Sequence, residues 1–268
     1  DDPRRFHFRW PAVDRMAVLL PGSVTTCFAT QTGMGKSSWI FDATLRAART
    51  AGEVVVNYQC ELTPEELATM AAANILRRDR NHLTKEDRQE AAARLRDVSY
   101  YIGRNTDLTT VGPVLDLLEA AIRRLGATVV VIDHIHFIAR NEKDEVSALA
   151  NAMQRIKNMA VKYGVKFFVI AQPRKALQQN KGKVVHITDI KSSETVSSDA
   201  DAVFAIHRNI LRTKDETTQN EYDTLTEIHL LKARAKGDGP VFAKLLFLGQ
   251  YASFGTLAPD TPPEFALG

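Results

Sequence analysis

Residues 30–37 read Thr-Gln-Thr-Gly-Met-Gly-Lys-Ser, and the closing Gly35-Lys36-Ser37 is the end of a phosphate-binding loop. The chemistry on offer is capture of a nucleoside triphosphate. Successive backbone N–H groups in such a loop form an anion nest, and the helix that follows adds its partial positive end. In that arrangement Thr32, Gly33, Met34, Gly35, Lys36, Ser37 and Ser38 cradle the phosphates. Lys36 reaches the β- and γ-phosphates, and the Ser37 hydroxyl holds Mg²⁺. The pattern ordinarily opens with a glycine, whereas this chain has Thr30, which a slightly different turn accommodates. A helix that happens to begin Lys-Ser is the competing explanation.

A second group bears on that choice. Val129-Val130-Val131-Ile132 is a near-continuous apolar run that delivers Asp133 at its C-terminal end. Open α/β sheets bind ligands at that edge, so Asp133 arrives beside the loop and can hold the water shell of the same Mg²⁺. Such a meeting requires particular elements. A strand is expected over 24–30 and a helix over 36–51 stopped by Gly52. A strand over 53–60 follows, then a helix capped by Thr63, with Pro64 in its first turn and Glu66 closing a capping box. Further on come a polar helix from about Thr84, a strand over 98–102, a helix ended by Gly126, a strand over 128–133, a helix over 145–164 and a strand over 165–172. Strands over 201–207, 224–234 and 240–248 close the chain, the last two joined by a Gly-Asp-Gly turn signal. This order predicts an α/β fold: a mostly parallel central sheet flanked by helices, with a C-terminal antiparallel hairpin.

Composition narrows the partners. The 268 residues carry a net charge of +3, and no apolar run approaches a membrane span, so no membrane partner is expected. Cys27 and Cys60 lie in apolar strand-like runs, as buried free thiols of a reducing compartment do. The positive charge gathers between Gln172 and Lys191, where Arg174, Lys175, Lys181, Lys183 and Lys191 face the single acid Asp189. That segment has no aromatic residue, which suits backbone tracking of a nucleic acid rather than base stacking; a solvated basic loop is the plainer alternative. His134 and His136 suggest a metal pair, but no third ligand is near, and their alternation fits a strand end. They read as supporting or core residues.

The stretches FATQTGMGKSSW, NYQCELTPEEL, VVVIDHIHFI, FFVIAQPRK, DIKSSETVSSDADAVFAIHR and LLKARAKGDGPVFAKLLFLGQY resemble, in this order, the RecA-like motor domain of DnaB-type replicative helicases. The resemblance runs from about residue 14 to 254 and extends to Twinkle-like helicases around QPRK. That family tolerates a non-glycine at the head of the loop. The resemblance implies a RecA-like P-loop NTPase core over 21–256, after a lead-in or linker at 1–20 and before a Pro-rich tail at 257–268.

It also implies roles. Glu61 stands where the family has its catalytic glutamate, and hydrolysis needs a carboxylate that orients and deprotonates water. Gln172 is placed to touch the γ-phosphate. Lys232 and Arg234 are expected to neutralise that phosphate from the neighbouring subunit, while Arg174, Lys183, Lys191, Ser192 and Ser193 grip single-stranded DNA. Plainer readings are an acid before a helix, a polar strand end and a lysine-bearing edge hairpin. The implied whole is a DNA helicase using ATP, or another NTP, with Mg²⁺. It would work as a homo-hexameric ring with primase or helicase-loader contacts through a domain outside this chain. The expected compartment is the cytoplasm of a bacterium or phage host, or the mitochondrion if Twinkle-like. The alternatives are a recombinase- or KaiC-like ATPase without unwinding, and a nucleotide-gated DNA-binding module. Glu61, Lys232 and Arg234 speak against the last.

Overall fold

Among the described residues nine strands share one sheet, in the order β3-β2-β4-β5-β1-β6-β7-β8-β9. The computed structural model describes residues 2–31, 33–103, 108, 110–173, 186–191, 193–212 and 221–257. β1 (Val24–Ala29), β2 (Val55–Gln59), β3 (Tyr100–Gly103), β4 (Val129–Asp133), β5 (Lys166–Ile170) and β6 (Ala202–Arg212) run parallel. β7 (Glu221–Ala233), β8 (Phe242–Leu248) and β9 (Ser253–Thr256) continue the sheet antiparallel. The helices are α1 (Pro11–Asp14), α2 (Lys36–Ala51), α3 (Pro64–Leu76), α4 (Lys85–Leu95), α5 (Val111–Leu125), α6 (Ile135–Ala139), α7 (Glu145–Tyr163) and α8 (Ser193–Ser198).

The central strands β1, β2, β4 and β5 are buried along their whole length because both faces are covered. Val130, Ile132, Phe167 and Val169 pack under α5 and α7. Val129, Val131, Phe168 and Ile170 pack on the other side, against α2 and the N-terminal residues. The helix signals act as expected: Thr63 and Thr84 each form a reciprocal capping box, and Gly52, Gly126 and Gly164 close their helices in the left-handed region. Registers then align Gln59 with Asp133, Asp133 with Ile170, and Ile170 with Cys27. Asp133 is thereby brought level with the end of β1, two strands away.

Four details depart from the expected elements. Residues 135–139 form α6, so His134 and His136 sit at a helix start rather than a strand end. β9 and the extension of β6 to Arg212 were not foreseen. The Gly-Asp-Gly segment is not a tight turn, since the β7–β8 ladder stops at His229 and Phe242. Instead Gly237 and Gly239 donate backbone N–H bonds to Met16 O (3.0 Å) and Arg15 O (2.7 Å). A Cβ on Gly237 would stand 2.0 Å from Arg15 O, so the close approach demands glycine. Finally, Cys27 is buried but Cys60 only half-buried.

The N-terminal residues are part of the core. Phe6, Phe8, Trp10, Val13, Met16 and Leu19 are all buried, and Phe8 stacks on Trp39 of α2 at 5.1 Å. Burial of each such side chain is worth about 1.5–3 kcal/mol. Trp10 also donates its indole N–H to Phe254 O at 3.2 Å, which joins the lead-in, α2 and β9 into one wall behind the phosphate loop.

Candidate active site

The turn between β1 and α2 is shaped by two glycines. Gly33 and Gly35 have φ of 82° and 94°, left-handed values that a side chain resists. Gly35 occupies the helix cap and its carbonyl accepts from Trp39 N–H at 2.8 Å, so Lys36, Ser37 and Ser38 stand in the first turn of α2. Buried Met34 pins the loop from beneath. Thr30 takes the place of the customary glycine because it is tied to β6: its N–H donates to Ile206 O at 3.1 Å, and its hydroxyl lies 3.0 Å from His207 Nδ1 and 2.9 Å from Met34 Sδ. Thr32 lies outside the described residues.

Opposite this loop, Glu61 stands just beyond β2. Its Oε2 is 3.7 Å from Lys36 Nζ and its Oε1 is 2.9 Å from His134 Nε2. Those contacts hold the Glu61 carboxyl down at about 2, the His134 hydrogen bond contributing most and Lys36 adding to it against partial burial. His134 caps α6: its Nδ1 accepts from Phe137 N–H at 3.2 Å, which leaves the proton on Nε2 to donate to Glu61. The Gln172 side-chain amide lies 2.8 Å from the same Nε2, and because that nitrogen carries the proton, the amide must turn its oxygen toward it as a second acceptor. One imidazole nitrogen therefore joins Glu61 and Gln172.

Asp133 is 0% exposed, and neither of its carboxylate oxygens has a hydrogen-bond partner among the described residues. Burial raises its pKa; Lys36 and the nearby Ser37 hydroxyl pull the other way, although Ser37 is not at hydrogen-bond geometry. A buried carboxylate without partners is costly unless a cation or proton completes it. A hydroxyl on α2 and a bare carboxylate, both hard oxygen donors, fit Mg²⁺. No group of three or more His, Cys, Asp or Glu suited to a metal ion occurs among the described residues.

The site continues toward the basic segment. His136 is 1% exposed, and burial pushes its pKa down to about 4. Its Nδ1 accepts from Gln172 N–H at 3.3 Å and its Nε2 donates to Lys191 O at 3.0 Å. Lys191 N–H donates in turn to Gln172 O at 2.9 Å, and its ammonium pairs with Glu145 at 2.6 Å. Ser193 opens α8, while Arg174, Lys183 and Ser192 lie outside the described residues. Lys36, Ser37, Glu61, Asp133 and Gln172 thus converge, but Lys232 and Arg234 do not join them. Lys232 donates to Ser197 O and Ser198 O at 2.7 and 3.0 Å, and Arg234 pairs with Asp201 at 3.3 Å.

His134 and His136, read from the sequence as supporting or core residues, each link two parts of the site. Their sequence signal is weak, because hydrogen-bonding at both ring nitrogens follows from the α6 turn and not from spacing.

Residues 10–256 match the family model described as the DnaB-like helicase C-terminal domain. A probable plasmid replicative DNA helicase of Chlamydia psittaci is 22% identical over 251 residues, covering 88% of this chain and 52% of that protein. The replicative DNA helicase DnaB of Geobacillus stearothermophilus is 25% identical over 261 residues, covering 91% and 55%. The chain spans about half the length of these curated relatives. Among solved structures, a DnaB-like replicative helicase superposes with a TM-score of 0.76 at 17% identity, covering 94% of this chain and 62% of that one. A KaiC-like protein from Pyrococcus horikoshii gives 0.63 at 15% identity, covering 95% and 99%. With a phosphate loop facing Glu61 and Asp133 on a RecA-like sheet, and a family match over nearly its whole length, this chain belongs to the DnaB-like helicase C-terminal domain family.

Proposed function

We propose that the chain is the motor of a replicative DNA helicase, hydrolysing ATP or a related triphosphate to move a homo-hexameric ring along single-stranded DNA. The observation that carries this reading is the convergence of Lys36, Glu61 and Asp133, whose carboxylate has no partner among the described residues, around one glycine-shaped loop. The lower TM-scores of the KaiC-like protein (0.63) and the RadB recombinase (0.62), against 0.76 for the DnaB-like helicase, support it over a recombinase-like ATPase. The bacterial origin of the relatives supports work in the cytoplasm. The same solved helicase, described with its primase interactions, supports a primase contact.

The residues divide the work. Backbone N–H groups of Gly33 to Ser37 hold the phosphates, and Lys36 swings from Glu61 to the β- and γ-phosphates. Ser37 and Asp133 would hold Mg²⁺, which supplies positive charge that stabilises the charge developing on the phosphoryl group. Glu61, held at about 2 chiefly by the His134 hydrogen bond and in smaller part by Lys36, is a weak base in this arrangement. When the phosphates draw Lys36 away and the carboxylate exchanges His134 for a water, both contributions are relieved and Glu61 can orient that water and take its proton. Gln172 contacts the γ-phosphate. Its backbone is bonded to Lys191 directly and through His136, so loss of the phosphate is passed to the segment that leads into α8.

A strand-displacement assay on a forked substrate tests the reading. ATP-dependent separation by the wild-type chain, absent in Lys36→Ala, is expected. ATP turnover unchanged in folded Lys36→Ala would falsify the nucleotide-site assignment. DNA-stimulated turnover without strand separation would favour the recombinase-like alternative.

A further inference from the structure

The α2 side of the sheet contains a line of polar side chains that the chemistry above leaves unused. Thr44 on α2, Tyr100 on β3, and Asn57 and Gln59 on β2 form one hydrogen-bonded chain. Its proton order follows from its far end. The single Thr44 hydroxyl proton donates to a backbone carbonyl of the preceding turn, Ile40 O at 2.7 Å. Thr44 Oγ1 must then accept from the Tyr100 hydroxyl at 3.2 Å. Burial pushes that hydroxyl up to about 12, so it keeps its proton in the neutral range. With its proton committed, Tyr100 accepts from Asn57 Nδ2 at 2.8 Å, which turns Asn57 Oδ1 to accept from Gln59 Nε2 at 2.9 Å. The amide assignments, ordinarily ambiguous, are settled by this order. Gln59 Oε1 faces away from the relay.

That oxygen is buried, on a residue 3% exposed, and has no partner among the described residues. Register places Gln59 directly beside Asp133, whose two oxygens are also bare. Three acceptors without donors at the ends of two adjacent strands are unfavourable as they stand. An apolar side chain at 59 would avoid the cost, as Val55 does lower on the same strand. The arrangement becomes favourable when a positive centre with donor-bearing waters lies between the strands.

We propose that Gln59 is a positioning residue for the Mg²⁺ of the nucleotide site. Its amide oxygen accepts from a metal-bound water on the Asp133 side, and the Thr44–Tyr100–Asn57 relay keeps the oxygen, not the NH₂ group, turned to it. The inference rests on the nucleotide-site reading above and adds a residue to it. It also gives the buried polar line a function: the relay orients a group that tunes the metal, as hydrogen-bond partners around metal sites do.

Mn²⁺ is the probe. ADP binding to the 268-residue chain is measured by fluorescence of a labelled ADP across a Mn²⁺ titration, with bound Mn²⁺ read by electron paramagnetic resonance. Gln59→Leu should raise the half-saturating Mn²⁺ concentration by about 10–100-fold, the range seen when such supporting partners are removed. ADP affinity in chelator should stay as in wild type. Tyr100→Phe leaves Gln59 in place but releases the relay, so the midpoint should rise several-fold. Wild-type midpoints in a folded Gln59→Leu protein would overturn the proposal. Should Gln59→Leu fail to fold, a wild-type midpoint in Tyr100→Phe would overturn it equally. A wild-type chain whose ADP binding ignores Mn²⁺ would instead overturn the assignment of Mg²⁺ to the nucleotide site, and this inference with it.

Discussion

The two sets of charged residues assigned to hydrolysis are held in opposite ways. At the strand ends, Lys36, Glu61 and His134 are engaged with one another, and Asp133 has no hydrogen-bond partner among the described residues. On the antiparallel side, Lys232 and Arg234 are satisfied by the carbonyls that end α8 and by Asp201. The first set is complete within one chain except for a cation; the second is turned to a different place. The difference teaches that the fold assembles the strand-end residues locally and holds Lys232 and Arg234 apart from them. In the proposed head-to-tail ring every site would face the same patch of the next protomer, and those two cations would be offered to a neighbour's γ-phosphate.

Breaking the second half should have the largest effect. Arg234→Ala should lose about 10³–10⁵ in turnover, as expected for an arginine finger, while still binding nucleotide. Mixing it with Lys36→Ala protein should restore some activity, since a Lys36→Ala protomer can lend its intact Arg234 to a neighbour's intact loop. Mixed rings that form yet remain inactive would place Arg234 in its own protomer's site, or outside any site. Within the first half, Glu61→Gln should bind nucleotide and lose at least about 10²-fold in turnover, the scale of a missing general base. A loss of only a few-fold would reduce Glu61 to an acid before α3.

The link between hydrolysis and DNA should respond more modestly. Lys183→Ala combined with Lys191→Ala should weaken single-strand binding and lower the salt slope by about 2, one per lost phosphate contact, with DNA-free hydrolysis retained. An unaltered slope would move the DNA path away from this segment. The smallest effect concerns His136. The folded protein keeps it neutral down to about 4, against an ordinary 6.5. Between those values the unfolded chain binds a proton that the folded one does not, so stability is full above 6.5 and declines as pH falls toward 4. The loss reaches about 3 kcal/mol at most. Urea midpoints from pH 7 down to 4.5 should fall less steeply in His136→Gln than in wild type; parallel slopes would assign the acid sensitivity to other groups.

Local chemistry made much of this legible in advance. The alternation of strands and helices, the Thr63 capping box and the glycine stops at 52 and 126 each depend on a few neighbouring residues, so they survive translation into the fold. The phosphate loop is legible for the same reason: Gly33, Gly35, Lys36 and Ser37 act within one turn. The Gly-Asp-Gly segment misled because glycine serves both tight turns and close approaches, and only the packed lead-in shows that Arg15 demands it.

By itself, then, the sequence determined the α/β class, the phosphate loop and the strand that ends in Asp133, because short-range backbone preferences and apolar runs encode them. Only the tertiary structure decided that Thr30 is bound to β6, that His134 joins Glu61 to Gln172, and that Gln59 stands directly beside Asp133. Those facts depend on strand order and register. A hydrogen bond between residues 73 positions apart, such as His134 to Glu61, exists only once β2 and β4 are paired side by side, and no spacing along the chain announces it.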